Sequence, residues 1–159
     1  MAKKKQPYRK KPFESTGSSS DTSANIYMSM MLSPAWKDLT ANQQRLYLYC
    51  KGQYYGEKQN PGGDPLCFTM NQSKWADRYG LYKRNNAAGF IRDMTALITH
   101  GFVTCATCGA NTRSKSIYRF SDMWQQWGTD AFKVLPSEMT LAMQRKEQSK
   151  KEVLPGKLY

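Results

Sequence analysis

At 159 residues the chain is sized for one domain plus flexible ends. Its apolar fraction of 40% and its many aromatics are enough to bury a core, which excludes disorder throughout. Net charge is +12, from 24 Lys plus Arg against 12 Asp plus Glu. That surplus favours a polyanion partner through counterion release, although an ordinary solvated basic face gives the same sum. The apolar run Ile26 to Leu32 is far short of the roughly 20 residues needed to cross a bilayer. The basic N-terminus has no apolar stretch or small-residue cleavage site. The expectation is a soluble, cytoplasmic protein without a membrane partner.

Residues 1–24 carry Lys3-Lys4-Lys5, Arg9-Lys10-Lys11 and a Ser/Thr/Gly run, none of which builds a core. This reads as a disordered basic tail, either without a role or adding phosphate contacts. A folded domain is expected over 25–135, with 136–159 as a C-terminal helix or flexible tail. The domain is basic without its tails, with thirteen positive and seven negative residues.

Within the domain, Ile26 to Leu32 reads as a short strand or extended lead-in. Ser33 suits an N-cap with Pro34 in the first helical position, where a missing N–H costs nothing. Thr40 and Gln43 have the spacing of a capping box. Leu46, Tyr47, Cys50 and Tyr54 then give one apolar face to a helix from Ala41 to Tyr55. Residues 56–65, rich in Gly and Pro, are a loop. Leu66 to Met70 is a strand candidate, with Cys67 and Phe68 on opposite faces. Asn71 or Ser73 can cap a short helix to Tyr79, in which Trp75, Arg78 and Tyr79 share a face, and Gly80 ends it.

A longer helix is expected from Lys83 to His100. Ala87, Phe90, Ile91, Met94, Leu97 and Ile98 form its apolar stripe, and Lys83, Arg84, Asn85, Asn86, Arg92 and Thr95 its polar side. Gly101 closes it. Strands follow over 102–105 and 116–120, joined by a polar, basic tip over 108–115. Trp124 and Trp127 should pack back on the domain. Residues 138–152 carry Met139, Leu141, Met143 and Lys146 on mixed faces, so a weak helix and disorder both fit.

The fold class is therefore mostly α with a small β-hairpin (α+β), in the order of a winged helix-turn-helix. In that motif the recognition helix offers its N-terminal residues to base edges in the major groove. Asn bonds adenine and Arg bonds guanine in a bidentate way, so Lys83, Arg84, Asn85 and Asn86 are the candidate readers. Arg92, and Ser73 and Lys74 on the short helix, complete the helical contact set. Arg113 and Lys115 on the wing would hold the phosphate backbone. Asn85 and Asn86 also suit simple helix capping.

The resemblance goes further. Ser33 to Thr40 with Gln44 to Tyr49, then Trp75 to Leu81, Phe90 to Met94, Leu97-Ile98 and Gly101-Phe102 resemble winged-helix domains of bacterial plasmid and phage replication proteins. The likeness covers about residues 30–120. It implies a module from a mobile element that binds double-stranded DNA, as a replication or transfer accessory factor or a transcriptional regulator. It implies a nucleoid-associated location, with a second copy or replication proteins as further partners. A full initiator normally carries more domain than this, which makes an accessory or regulatory role at least as plausible an expectation. A non-catalytic protein-interaction module is the alternative, because winged helices serve there too. Single-strand or RNA binding would need exposed aromatics, for which Tyr54, Tyr55, Tyr82 and Tyr118 are the candidates.

No enzyme is expected. There is one histidine, His100: no Ser-His-Asp triad is evident around it, and the histidine cluster that a metal-dependent relaxase needs is absent. Gly62-Gly63-Asp64 lacks the Lys-Ser or Lys-Thr of a phosphate loop. No cofactor is expected. Cys105 and Cys108 have C-x-x-C spacing, and with His100 and Cys67 they are the one conceivable zinc set, unless a site is shared across a dimer. Packing or surface thiols is the preferred reading.

Overall fold

The computed structural model describes residues 24–53, 61–109 and 114–152. The basic tail before residue 24, Tyr54 and Tyr55, the first part of the Gly/Pro loop, Arg113 with its neighbours in the hairpin tip, and residues after 152 lie outside these segments. The element order is α1 (Met28–Met31), α2 (Pro34–Asp38), α3 (Ala41–Lys51), β1 (Cys67–Thr69), a short helix (Ser73–Arg78), α4 (Ala87–Thr99), β2 (Val103–Thr107), β3 (Ile117–Phe120) and α5 (Leu141–Glu152). The fold is mixed α and β, with a small antiparallel sheet of three strands in the order β1-β3-β2.

Local hydrogen bonding sets several boundaries. Ser33 Oγ accepts from the Trp36 N–H at 3.2 Å and donates to the Met30 carbonyl at 2.7 Å. Pro34 follows at the first helical position. The Thr40–Gln43 capping box is complete, with Thr40 N–H donating to Gln43 Oε1 at 2.9 Å. α3 stops at Lys51 with Gly52 as its C-cap, short of the Tyr55 expected. Residues 26–32 do not form a strand. Met28–Met31 is a helical turn that buries Met30 alone, consistent with the good helix propensity of methionine.

The short helix is a wide, π-type coil, with Tyr79 N–H donating to the Lys74 carbonyl at 2.9 Å. Neither Asn71 nor Ser73 caps it by side chain. Its N-cap is Gln72, and the Asn71 carbonyl takes the Lys74 and Trp75 N–H groups instead. Gly80 then turns the chain at φ +58°. At the end of α4, Gly101 sits at φ +79°, its N–H on the Ile98 carbonyl and the Phe102 N–H on Leu97. That is a Schellman close.

The core gathers the inner faces of α2, α3 and α4 against one face of the sheet. Trp36, Tyr47 and Phe102 meet edge-on, with Tyr47 and Phe102 centroids 5.2 Å apart. Phe68 stacks on Phe120 at 4.5 Å. Leu46, Leu97, Ile98 and Val103 are fully enclosed. Trp124 stacks on Phe102 and Trp127 on His100, so both tryptophans fold back as expected. α5 is helical and adds Met143 to the edge of the core.

The sheet pairs Phe68 with Tyr118 and Cys105 with Tyr118, and a bulge falls between Cys105 and Thr107. Cys67 and Phe68 do face opposite ways. Both are nonetheless buried, because Asp64 and Arg119 cover the Cys67 side. The apolar stripe of α4 differs from expectation. Phe90, Met94, Leu97 and Ile98 are buried, but Ala87 is exposed and Ile91 is 46% exposed, while Gly89 and Asp93 are buried.

Candidate nucleic-acid interface

α4 begins at Ala87, four residues later than the sequence suggested. The cause is Asn86, whose side chain accepts the Gly89 N–H at 3.0 Å and whose backbone has left the helical region. Lys83, Arg84, Asn85 and Asn86 therefore form a turn in front of the helix, and all four are exposed.

This turn is held from several sides. Leu81 N–H donates to the Trp75 carbonyl at 2.8 Å, Asn86 N–H to the Lys83 carbonyl at 2.8 Å, and Gln72 Nε2 to the Arg84 carbonyl at 2.8 Å. Tyr82 donates its hydroxyl to Asp93 Oδ2 at 2.8 Å. Asp93 is 1% exposed and also accepts from Arg92 Nε at 3.0 Å and Gln43 Nε2 at 3.5 Å. A buried carboxylate with this many donors fixes what it touches, here α3, α4 and the turn. Burial raises the Tyr82 pKa, with the Asp93 bond adding to it.

The four turn residues have different engagements. Arg84 forks onto Asp77, with Nε at 3.2 Å from Oδ1 and Nη2 on Oδ2. Asn86 is committed to the cap. The Lys83 and Asn85 side chains have no partner among the described residues. Arg92 is 71% exposed although it touches Asp93, and that contact raises its pKa. Ser73 is exposed, its hydroxyl donating to Asn71 Oδ1 at 3.1 Å.

Lys74 does not belong to the surface set. Its ammonium donates to Gln53 Oε1 and, at 2.8 Å each, to the Thr69 carbonyl and hydroxyl. Three donors meet three acceptors, so the group ties α3's end to β1 and has nothing left to offer a ligand. Burial lowers its pKa, and the charges of Arg78 and Lys115 push it further down. The short helix and the base of the hairpin thus share one cationic neighbourhood. Lys115 is exposed there.

Arg78, which helical spacing groups with Trp75 and Tyr79, does not share the burial of Trp75: it is exposed and lies over the Tyr79 ring at 5.5 Å. Gln72 was missed because only the fold brings it to the turn. Tyr118 is 6% exposed and offers no open stacking face, while Tyr82 is half-buried, edge-on to Trp75 and Phe90 with its hydroxyl bonded to Asp93.

The conceivable zinc set does not converge. Among the described residues no three His, Cys, Asp or Glu side chains are gathered as a metal would require. His100 is turned to Ala96 and Asp38, and Cys67 to Asp64. Burial, with Cys108 adding to it, pushes the Cys105 thiol up to about 11.

No protein-family model matches the chain, and no curated protein or solved structure matches it either. No helix among the described residues is long and apolar enough to cross a membrane.

Proposed function

We propose that the domain is a winged helix-turn-helix that binds duplex DNA without catalysing a reaction. One observation carries this reading: an exposed turn, Lys83 to Asn86, is pinned at the front of α4 with Lys83 and Asn85 unengaged. A rigid polar turn at a helix N-terminus suits entry into a major groove, because little order has to be imposed on binding. The positive end of the α4 dipole adds to it.

The element order supports the same reading. In a winged helix, a strand between the first helix and the helix pair joins the later hairpin as its third strand. β1 lies at that point of the chain and pairs with β3. Lys115 stands at the hairpin base, beside the first turns of α4. Arg78 and Lys83 extend the cationic surface toward flanking phosphates. Service to a bacterial mobile element, in replication, transfer or transcription, rests on the likeness of residues 30–120 to plasmid and phage replication proteins.

A protein-docking module is the second reading, favoured by the exposed Tyr27, Met28 and Leu32 on and around α1. Selection of bound fragments from random duplex DNA, followed by anisotropy titrations from 50 to 200 mM salt, separates the two. The DNA reading expects enrichment of a sequence and a steep loss of affinity with salt. No binding at the lowest salt would leave the docking reading.

A further inference from the structure

The apolar stripe of α4 is wider than the core that covers it. Ala87 and Ile91 belong to that stripe by spacing, yet they face a groove of about 430 Å³ and not packed protein. The groove runs between the first turns of α4, the base of the β2–β3 hairpin and the start of α5. Its floor is the core itself, from Met70, Trp75, Phe90, Met94 and Tyr118. Leu141 stands on the far wall. The size and the aromatic lining are those of a small-molecule pocket.

The mouth has a sign. Lys115 lies on the rim, exposed and without an acidic partner among the described residues. Lys74, behind Trp75, lies close enough to Lys115 for the two charges to interact, and Asp77, the acid on that helix, is already taken by Arg84. A greasy floor below a cationic rim suits one kind of occupant: an apolar body ending in a single anionic group.

We infer that this groove binds an amphipathic monocarboxylate, such as a medium-chain fatty acid, with its chain along Trp75, Phe90 and Ile91 and its carboxylate at Lys115. The apolar body removes Ile91 and Ala87 from water. The carboxylate gains a charge-assisted bond that a neutral head group cannot make.

The test uses the full chain and no DNA, so its outcome is independent of duplex binding. Decanoate and decanol are each titrated by displacement of a fluorescent apolar anion, anilinonaphthalene sulfonate. Saturable 1:1 binding of decanoate is expected. Lys115→Gln should weaken decanoate about tenfold or more while leaving decanol unchanged. Ala87→Trp and, from the opposite wall, Leu141→Trp should each exclude both, with circular dichroism reporting that the chain still folds. Three results overturn the inference. They are no saturable binding, decanoate binding untouched by either tryptophan, and a Lys115→Gln change that affects acid and alcohol alike. A native chain that is dimeric until Leu141→Trp splits it would also overturn it, by making the groove a contact between copies.

Discussion

The carboxamide of Asn86 lies over Gly89 so closely that the helix has no room for a Cβ there. Oδ1 accepts the Gly89 N–H at 3.0 Å, and a Cβ on Gly89 would come within 2.7 Å of Asn86 Nδ2. The cap and the glycine depend on one another, and both set where the exposed turn ends. Gly89→Ala alone should change stability little. The gain of about 1 kcal/mol from helix propensity is offset by a lost cap worth about the same. In an Asn86→Ala background the same change should stabilise by about 1 kcal/mol. Urea denaturation of the double-mutant cycle checks this, and additive effects would contradict it.

Arg84 reaches a guanine only by leaving Asp77. Their side chains are 67% and 44% exposed, so the pair is worth less than about 1 kcal/mol and is cheaply opened. Asp77→Asn should therefore raise duplex affinity, by up to about fivefold. Arg84→Ala should lower it by ~1–3 kcal/mol if the side chain reads a base. Anisotropy titrations on a selected duplex and on scrambled ones measure both, and an equal Arg84→Ala loss on every sequence would mark a phosphate contact instead.

Lys74 and Lys83 are both lysines of the helix-turn-helix region, yet they should behave in opposite ways. Lys74→Met strands Gln53 and Thr69 beneath the surface and should cost about 1–3 kcal/mol of stability. Lys83→Ala removes an exposed, unpartnered charge and should leave stability within about 0.5 kcal/mol. If it contacts a phosphate, its salt dependence on duplex DNA should shrink by nearly one counterion. Parallel urea and salt titrations separate the roles.

His100 is held at both nitrogens, Nδ1 2.7 Å from the Ala96 carbonyl and Nε2 2.8 Å from Asp38, with Trp127 stacked at 4.9 Å. The ring is 14% exposed and Asp38 is 59% exposed, so the two ends are not equivalent. His100→Ala should cost about 1–3 kcal/mol through lost packing and bonding. Asp38→Ala should cost less than about 1 kcal/mol, because solvent screens that partner. Thermal or urea melts of the two variants check the order.

Asp64 titrates below the ordinary carboxylate range. The Leu66 N–H lowers it most, followed by the Arg119 guanidinium, with the Cys67 thiol a lesser cause. A depressed folded value means its contribution is present above the unfolded pKa and is lost as pH falls through the folded one. Carboxyl NMR titration should show the low value, and Asp64→Asn should flatten the acid limb of the stability profile.

Features whose causes are local were readable in the chain. Ser33 before Pro34, the Thr40–Gln43 pair, and Gly80 and Gly101 after their helices each depend on neighbours a few residues away. The stripe of Phe90, Met94, Leu97 and Ile98 was readable because burial follows helical spacing. The start of α4 was not, because Asn85 and Asn86 suit both a helix interior and a cap until one hydrogen bond decides. The burial of Lys74 depends on Gln53, 21 positions away, and the hold on the turn depends on Asp93. No periodicity encodes such meetings. The exposure of Ile91 was illegible for the same reason, since spacing tells which side of a helix is apolar but not how far its neighbours extend.

β3 is the middle strand although it is the last of the three in the chain, and β1 and β2 touch each other nowhere in the ladder. A nascent chain that has not yet delivered Ile117–Phe120 therefore cannot form this sheet, however much of it has emerged. Until then Phe68 and Val103 belong to segments with open edges, which invite pairing with other chains. A polypeptide cut off before Ile117 should collect in aggregates, and one ending after Phe120 should escape that fate.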